Sequence, residues 1–245
     1  MQTLKDKVIL ITGANRGIGK SLVKASLEKG ARKIYATSRD LNKMPNFGDY
    51  RVVSLELDIT DKTQISRVLK KATDVEVLIN NAGILSQGNI LEGELIGMEN
   101  DMKVNYYGTI NMMRAFVPIL ESNSSSARII NMVSIAAYSP LPFIAGYAAS
   151  KAALLSATQA VRIELAKKGI IVHSVNPGAI DTDMNKGSEW DMPAPDEIAK
   201  IILDKVEAGE LDIVPDDMGL GMYNTWREDP SKLAEMFHNM YHGEQ

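Results

Sequence analysis

Val8-Ile9-Leu10-Ile11-Thr12-Gly13-Ala14-Asn15-Arg16-Gly17-Ile18-Gly19 reads as an apolar strand running into a glycine turn, and the turn opens a helix expected over Ile18–Lys29. Gly13, Gly17 and Gly19 remove side chains where the strand has to turn sharply. Backbone N–H groups at the helix N-terminus, the positive end of its dipole, can then approach an anion such as a pyrophosphate. A glycine trio by itself describes a tight strand–helix connection equally well. Its place after the first apolar strand and before an amphipathic helix is what points to a dinucleotide.

Outward from this turn, apolar β-rich runs recur at Ile34–Thr37, Val52–Leu57, Val75–Ile79, Ile129–Val133, Ile170–Val175 and Leu211–Val214. Helical stretches are expected over Lys62–Lys71, from about Leu95 to Leu120, over Ala148–Lys168 and over Pro195–Ala208, the last with proline in its first turn. Strands that read as continuous apolar runs and alternate with helices predict a parallel sheet covered on both faces. The expected fold is α/β, a single doubly wound Rossmann-fold domain over residues 1–245 with a seven-stranded parallel sheet. Between Arg39 and Arg51 the chain carries Pro45 and Gly48, which leaves room for a turn but not a full crossover helix. Ser122-Asn123-Ser124-Ser125-Ser126 is expected as a polar surface loop, and the chain after Asp216 carries no clear pattern.

A chain of 245 residues, 45 % apolar, can fill one substantial core. Its net charge of −4, with no basic run, argues against a nucleic-acid partner. The lack of cysteine excludes disulfides, thiolate metal sites and a cysteine nucleophile. His173, His238 and His242 are too few and too scattered for a metal site. The apolar run Val8–Ile11, behind Lys5 and Lys7, is too short for a signal-peptide core or a membrane span, so a soluble cytoplasmic protein with no membrane partner is expected.

Tyr147 and Lys151 are four residues apart at the start of a predicted helix and therefore share a face. Ser134, thirteen positions before Tyr147, ends the strand Ile129–Val133 at the carboxyl edge of the sheet, where such folds bind ligands. Bringing a phenol from a pKa of ~10 to ~7 takes about 4 kcal/mol. A single cation 4 to 5 Å away at an effective dielectric of ~20 supplies roughly that much. Tyr147 is therefore expected to act as acid and base near neutral pH, with Ser134 donating to the substrate oxygen. Taken singly, each has a plainer reading: a core tyrosine, a solvated lysine, a turn serine. At the end of the second strand, Ser38 is neutral and Arg39, with Arg16 of the glycine turn, can pair with a 2′-phosphate, which favours NADP(H) over NAD(H) despite the neighbouring Asp40. Asp58 either caps the helix that begins near Asp61 or meets the adenine edge.

With these residues in place the chain resembles the short-chain dehydrogenase/reductase family over almost all of residues 4 to 215. Thr12-Gly13 through Gly17-Ile18-Gly19 is similar to that family's cofactor turn. Asn80-Asn81-Ala82-Gly83 resembles its adenine-ring and strand-stabilising motif. Asn105, Ser134, Tyr147 and Lys151 match its catalytic tetrad, and Pro177-Gly178-Ala179-Ile180-Asp181-Thr182 resembles the segment that holds the nicotinamide amide. The resemblance implies a cofactor site made of Gly13, Asn15, Arg16, Gly17, Ile18, Gly19, Ser38, Arg39, Asp58, Ile59, Asn81, Ala82, Gly83, Tyr147, Lys151, Pro177, Gly178, Ile180 and Thr182. It also implies that Lys151 binds the nicotinamide ribose, that the backbone at Asn105 positions a relay water, and that the chain forms a tetramer or dimer. On its own, Asn105 reads as a surface amide or a kink. The short second crossover departs from the family pattern. A substrate lid is expected over about residues 183–210, where Trp190, Met192 and Pro193 either belong to the lid or pack on the core.

The activity expected is NADPH-dependent reduction of a small-molecule ketone or aldehyde, reversible as alcohol oxidation. A β-ketoacyl-thioester reductase is the alternative within the class. A non-catalytic NADP-binding sensor or scaffold is the alternative outside it.

Overall fold

Successive residues of the first strand face opposite layers of the molecule: Ile9 and Ile11 pack into one buried cluster, Val8 and Leu10 into another. The computed structural model describes residues 3–123, 126–139 and 141–243. Its seven strands are β1 Val8–Ile11, β2 Lys33–Ser38, β3 Val52–Glu56, β4 Val77–Asn80, β5 Arg128–Met132, β6 Ile171–Val175 and β7 Asp212–Ile213. All pair in parallel, in the order β3-β2-β1-β4-β5-β6-β7. The order reverses direction between β1 and β4, which opens a crevice at the carboxyl ends of those strands.

Helices α1 (Gly17–Glu28) and α6 (Pro195–Ala208) cover one face, through Leu22, Val23, Ile198, Ile202 and Leu203. The other face is covered by α2 (Lys62–Lys71) and α4 (Thr109–Asn123), through Ile65, Val68, Met112, Phe116 and Leu120, with α5 (Ala145–Leu165) alongside. The long helix expected from Leu95 is a continuous rod with a change of winding inside it. It runs as α3 (Leu95–Asp101), a π-helical stretch Met102–Gly108, then α4. Only a three-residue 3-10 turn, Leu41–Lys43, lies between β2 and β3, as Pro45 and Gly48 suggested.

Three expectations need revising. The second half of the presumed lid, residues 195–208, is α6, whose Ile198, Ala199, Ile202, Leu203 and Val206 are buried on the sheet and on α1. Only residues 183–194 remain as a surface segment there, and Trp190 in it stays 48 % exposed, so it is not a core residue. The polar loop expected at 122–126 begins later, because Ser122 and Asn123 complete α4 and Asn123 donates to the carbonyls of Thr73 and Val75. Ser124 and Ser125 lie outside the described residues. The chain after Asp216 forms two helices, α7 (Asp217–Glu228) and α8 (Pro230–His242), capped by Asp216 and Asp229.

Candidate active site

The glycine turn is built as its composition requires. Gly13 and Gly17 have φ of +65° and +50°, a region glycine enters without penalty. A Cβ on Gly19 would collide with the Gly13 carbonyl and the Asn81 amide, and one on Gly17 would come 3.2 Å from the Thr182 methyl. Thr12 and Asn81 lock the turn from behind. The Thr12 hydroxyl accepts the N–H groups of Asn81 and Ala82 at 2.9 and 3.0 Å, and the Asn81 amide donates to the carbonyls of Thr12 and Gly13. Asn81 therefore serves here as a staple between β1 and β4.

α1 begins at this turn with Arg16 in the N-cap position, no side-chain cap and no acidic residue in its first turn. By contrast α2 is capped by Asp61, which accepts from Thr63 and Gln64. An uncapped helix start framed by three glycines fits the phosphates of a dinucleotide. A cavity of about 420 Å³ lies between this turn, through Asn15, Arg16 and Gly17, and Thr182–Asp183.

The other cofactor candidates divide. Ser38 is buried, and its hydroxyl exchanges hydrogen bonds with the main chain of Asp40. The Asp40 carboxylate is turned away into a local cap, accepting from the Asn42 N–H, with Lys43 3.7 Å off. Arg39 is exposed at the same strand end. Arg16 pairs with Asp183 at 3.1 Å, both side chains about two-thirds exposed. Asp58 does not cap α2: Asp61 does, while Asp58 accepts from the Thr60 N–H and hydroxyl. Ile59 is buried against Gly108. Gly178 donates its N–H to Asp216 and Ile180 is buried in the core, so the segment after β6 is anchored at both positions.

Ser134, Tyr147 and Lys151 converge at the end of β5. Helix α5 starts at Ala145, three residues earlier than expected, which puts Tyr147 in its first turn. Lys151 Nζ donates to the Met132 carbonyl at 2.7 Å and lies 5.5 Å from the centre of the Tyr147 ring. Ser134 Oγ accepts from the Ala136 N–H and is 3.4 Å from the Pro177 carbonyl, which also accepts the Ile135 N–H. The ends of β5 and β6 are thereby joined.

Burial sets the protonation of both α5 side chains. It pushes the Tyr147 phenol up to about 12, with the Ser134 hydroxyl acting in the opposite direction. It pulls Lys151 down to about 8. The expectation that Lys151 alone would bring the phenol near neutrality is not met, because desolvation dominates.

Asn105 is not a surface amide. It is completely buried in the π-helical stretch; its Oδ1 accepts the Ile84 N–H, and its amide donates to the Ile84 carbonyl and to Ser150 Oγ, each at 2.9 Å. Sequence reasoning missed Thr12, Ser86, Asp101, Ser150 and Asp216, all of which hold these segments in place. Thr12 was within the quoted motif; the others become visible only once distant segments meet. A larger cavity, about 670 Å³ and mainly apolar, borders the cluster through Ala136 and Ala148 but takes in neither Ser134 nor Tyr147. Among the described residues, no three His, Cys, Asp or Glu side chains are grouped to hold a metal ion, and no helix is long and apolar enough to cross a membrane.

Residues 7–192 match the family described as short chain dehydrogenase. An uncharacterised oxidoreductase of Staphylococcus saprophyticus is 33 % identical over 78 % of this chain and 85 % of its own length. Galactitol 2-dehydrogenase of Agrobacterium fabrum is 30 % identical over 96 % of each chain. Among solved structures, a short chain dehydrogenase from Burkholderia cenocepacia in complex with NADP superposes with a TM-score of 0.91 at 38 % identity, covering 96 % of this chain and 98 % of that one.

Proposed function

The chain belongs to the short-chain dehydrogenase/reductase family and is an oxidoreductase, and on that premise we propose that it reduces a ketone or aldehyde to an alcohol with NADPH, reversibly. The observation that carries this reading is the meeting of Ser134, Tyr147 and Lys151 at the end of β5, beside an uncapped glycine turn. Gly13, Asn15, Gly17, Ile18 and Gly19 hold the pyrophosphate, Ser38 and Arg39 the 2′-phosphate, Asp58, Ile59, Asn81, Ala82 and Gly83 the adenosine. Pro177, Gly178, Ile180 and Thr182 hold the amide. When bound, the nicotinamide supplies the hydride delivered to the carbonyl carbon.

Ser134 donates a hydrogen bond to the carbonyl oxygen, and Tyr147 hands its proton to that oxygen as negative charge grows there. A phenol held up to about 12 is protonated at neutral pH and is still a far stronger acid than the alcohol being formed, so reduction runs downhill in its proton step. Lys151, pulled down to about 8, remains largely an ammonium at neutral pH and stabilises the phenolate left behind. The Asn105 side chain is fully used on Ile84 and Ser150, which leaves its main chain for the relay water. Support for NADPH comes from the Asp40 carboxylate being engaged locally while Arg39 stands exposed.

Tyr147→Phe tests the chemistry: turnover of ketones should fall by ~10²–10⁴-fold while NADPH binding, followed by nucleotide fluorescence, is retained. Unchanged turnover would remove Tyr147 from the reaction. Arg39→Asp tests the nucleotide, and should weaken NADPH relative to NADH; an unaltered ratio would place the 2′-phosphate elsewhere.

A further inference from the structure

Asp101, the last residue of α3, is a fully buried carboxylate that belongs to none of the family motifs. Asn105 lies one turn further along the same rod, and the two side chains grip alternate residues of the segment after Gly83. Asn105 takes both the N–H and the carbonyl of Ile84. Asp101 accepts the Ser86 N–H at 3.1 and 3.3 Å on its two oxygens, and the Ser86 hydroxyl at 3.1 Å. Between these anchors, Leu85 packs with Ala136, Tyr147 and Ala148. Just before them, a Cβ on Gly83 would lie 3.6 Å from Lys151 Nζ. The doubly anchored segment thus presses on both α5 side chains of the site.

The backbone N–H of Ser86 can only donate, so Asp101 meets it as an acceptor. A buried carboxylate needs an opposite charge nearby. The titratable groups facing Asp101 are Lys151 and Tyr147, both from α5, with Ser86 as its polar partner from the loop. Burial raises the Asp101 carboxyl and lowers the Lys151 ammonium, and the attraction between the two groups opposes both shifts. Among the described residues they make no salt bridge, so the influence acts through space.

We propose that Asp101 is a positioning residue for the reaction: its buried carboxylate is the counter-charge of the Lys151 ammonium, and its bonds to Ser86 seat Leu85 against Tyr147. This rests on the reading of Tyr147 and Lys151 given above, and its first test does not depend on turnover. Nζ of Lys151 is titrated by NMR in the ¹⁵N-lysine-labelled chain without added nucleotide, the signal being assigned by Lys151→Arg. Asp101→Asn has the same size and can still accept from Ser86, but carries no charge. Removing the anion makes the ammonium less stable, so the Nζ midpoint should move down by about one pH unit. Asp101→Ser, also uncharged, carries the same expectation if the amide variant does not fold. Asp101→Glu should hold the midpoint near that of the unaltered chain, and Ser86→Ala, which keeps the carboxylate, should leave it in place.

The alkaline limb of kcat/KM for ketone reduction with NADPH should move in the same direction in Asp101→Asn. A midpoint that stays put in the uncharged variants, or that moves as far in Ser86→Ala, overturns the counter-charge. A shifted midpoint with an unmoved alkaline limb overturns its part in the reaction. Failure of the reductase reading itself appears separately, as unchanged turnover in Tyr147→Phe.

Discussion

The two halves of the sheet are stabilised differently. In β1 every side chain is apolar and buried, and in β2 the buried polar residues Thr37 and Ser38 lie at the outlet end of the strand. β5 and β6 carry Arg128, Asn131, His173 and Ser174 within their buried spans, with Asn176 just beyond. Asn131 accepts from Asn80 on β4 and donates to Thr158 on α5, while His173 Nδ1 sits 2.6 Å from the Glu210 carbonyl. A dry strand is held by area removed from water; a polar one relies largely on partners for its buried groups. The half that carries the candidate chemistry is the half that depends on partners.

Acid should break this contrast most strongly. Burial pulls His173 down to about 4 from an ordinary 6.5, so the unfolded chain binds a proton in that window that the folded chain refuses. The stability it contributes is complete above pH 6.5 and is lost as pH falls toward 4, about 3 kcal/mol in all. Urea midpoints at pH 7 and pH 4.5 should separate less in His173→Gln than in the unaltered chain; an identical separation would remove His173 as the cause.

Asn105→Leu should cost about 2–3 kcal/mol, because it strands both main-chain groups of Ile84 in the interior. Urea denaturation measures it, and a loss below about half that range would mean that Ile84 finds other partners.

The dry half responds through shape. Gly19→Ala places a Cβ against the Gly13 carbonyl and the Asn81 amide, and should cost about 1–3 kcal/mol together with much of the affinity for NADPH. Thermal unfolding and nucleotide fluorescence report the two effects; normal behaviour in both would mean the turn has slack. Asp61→Ala should cost only about 1 kcal/mol, the worth of one helix cap. A larger loss, read by urea denaturation, would show that the dry half is wired as the polar half is.

The same contrast explains what was legible in the residues. All seven strands follow their apolar runs to within two residues at each end, and the missing second crossover helix followed from Pro45 and Gly48. Tyr147 and Lys151 could be paired because both lie on one helix at a fixed spacing. Asn105 could not be read correctly from its neighbours. Its three hydrogen bonds go to Ile84 and Ser150, far away along the chain, and the π-helical winding around it has no sequence period of its own. The same holds for Asp216, whose partner is Gly178.

From its sequence alone this chain is committed to a doubly wound sheet, a glycine turn opening a helix, and a tyrosine and a lysine on one helical face. Those features depend on periodicity, backbone freedom and short spacings, which are properties of neighbouring residues. The tertiary structure decided how readily the phenol and the amine ionise, and which buried carboxylate faces them. Desolvation and through-space charge are set by everything that surrounds a group, and most of what surrounds these comes from remote parts of the chain.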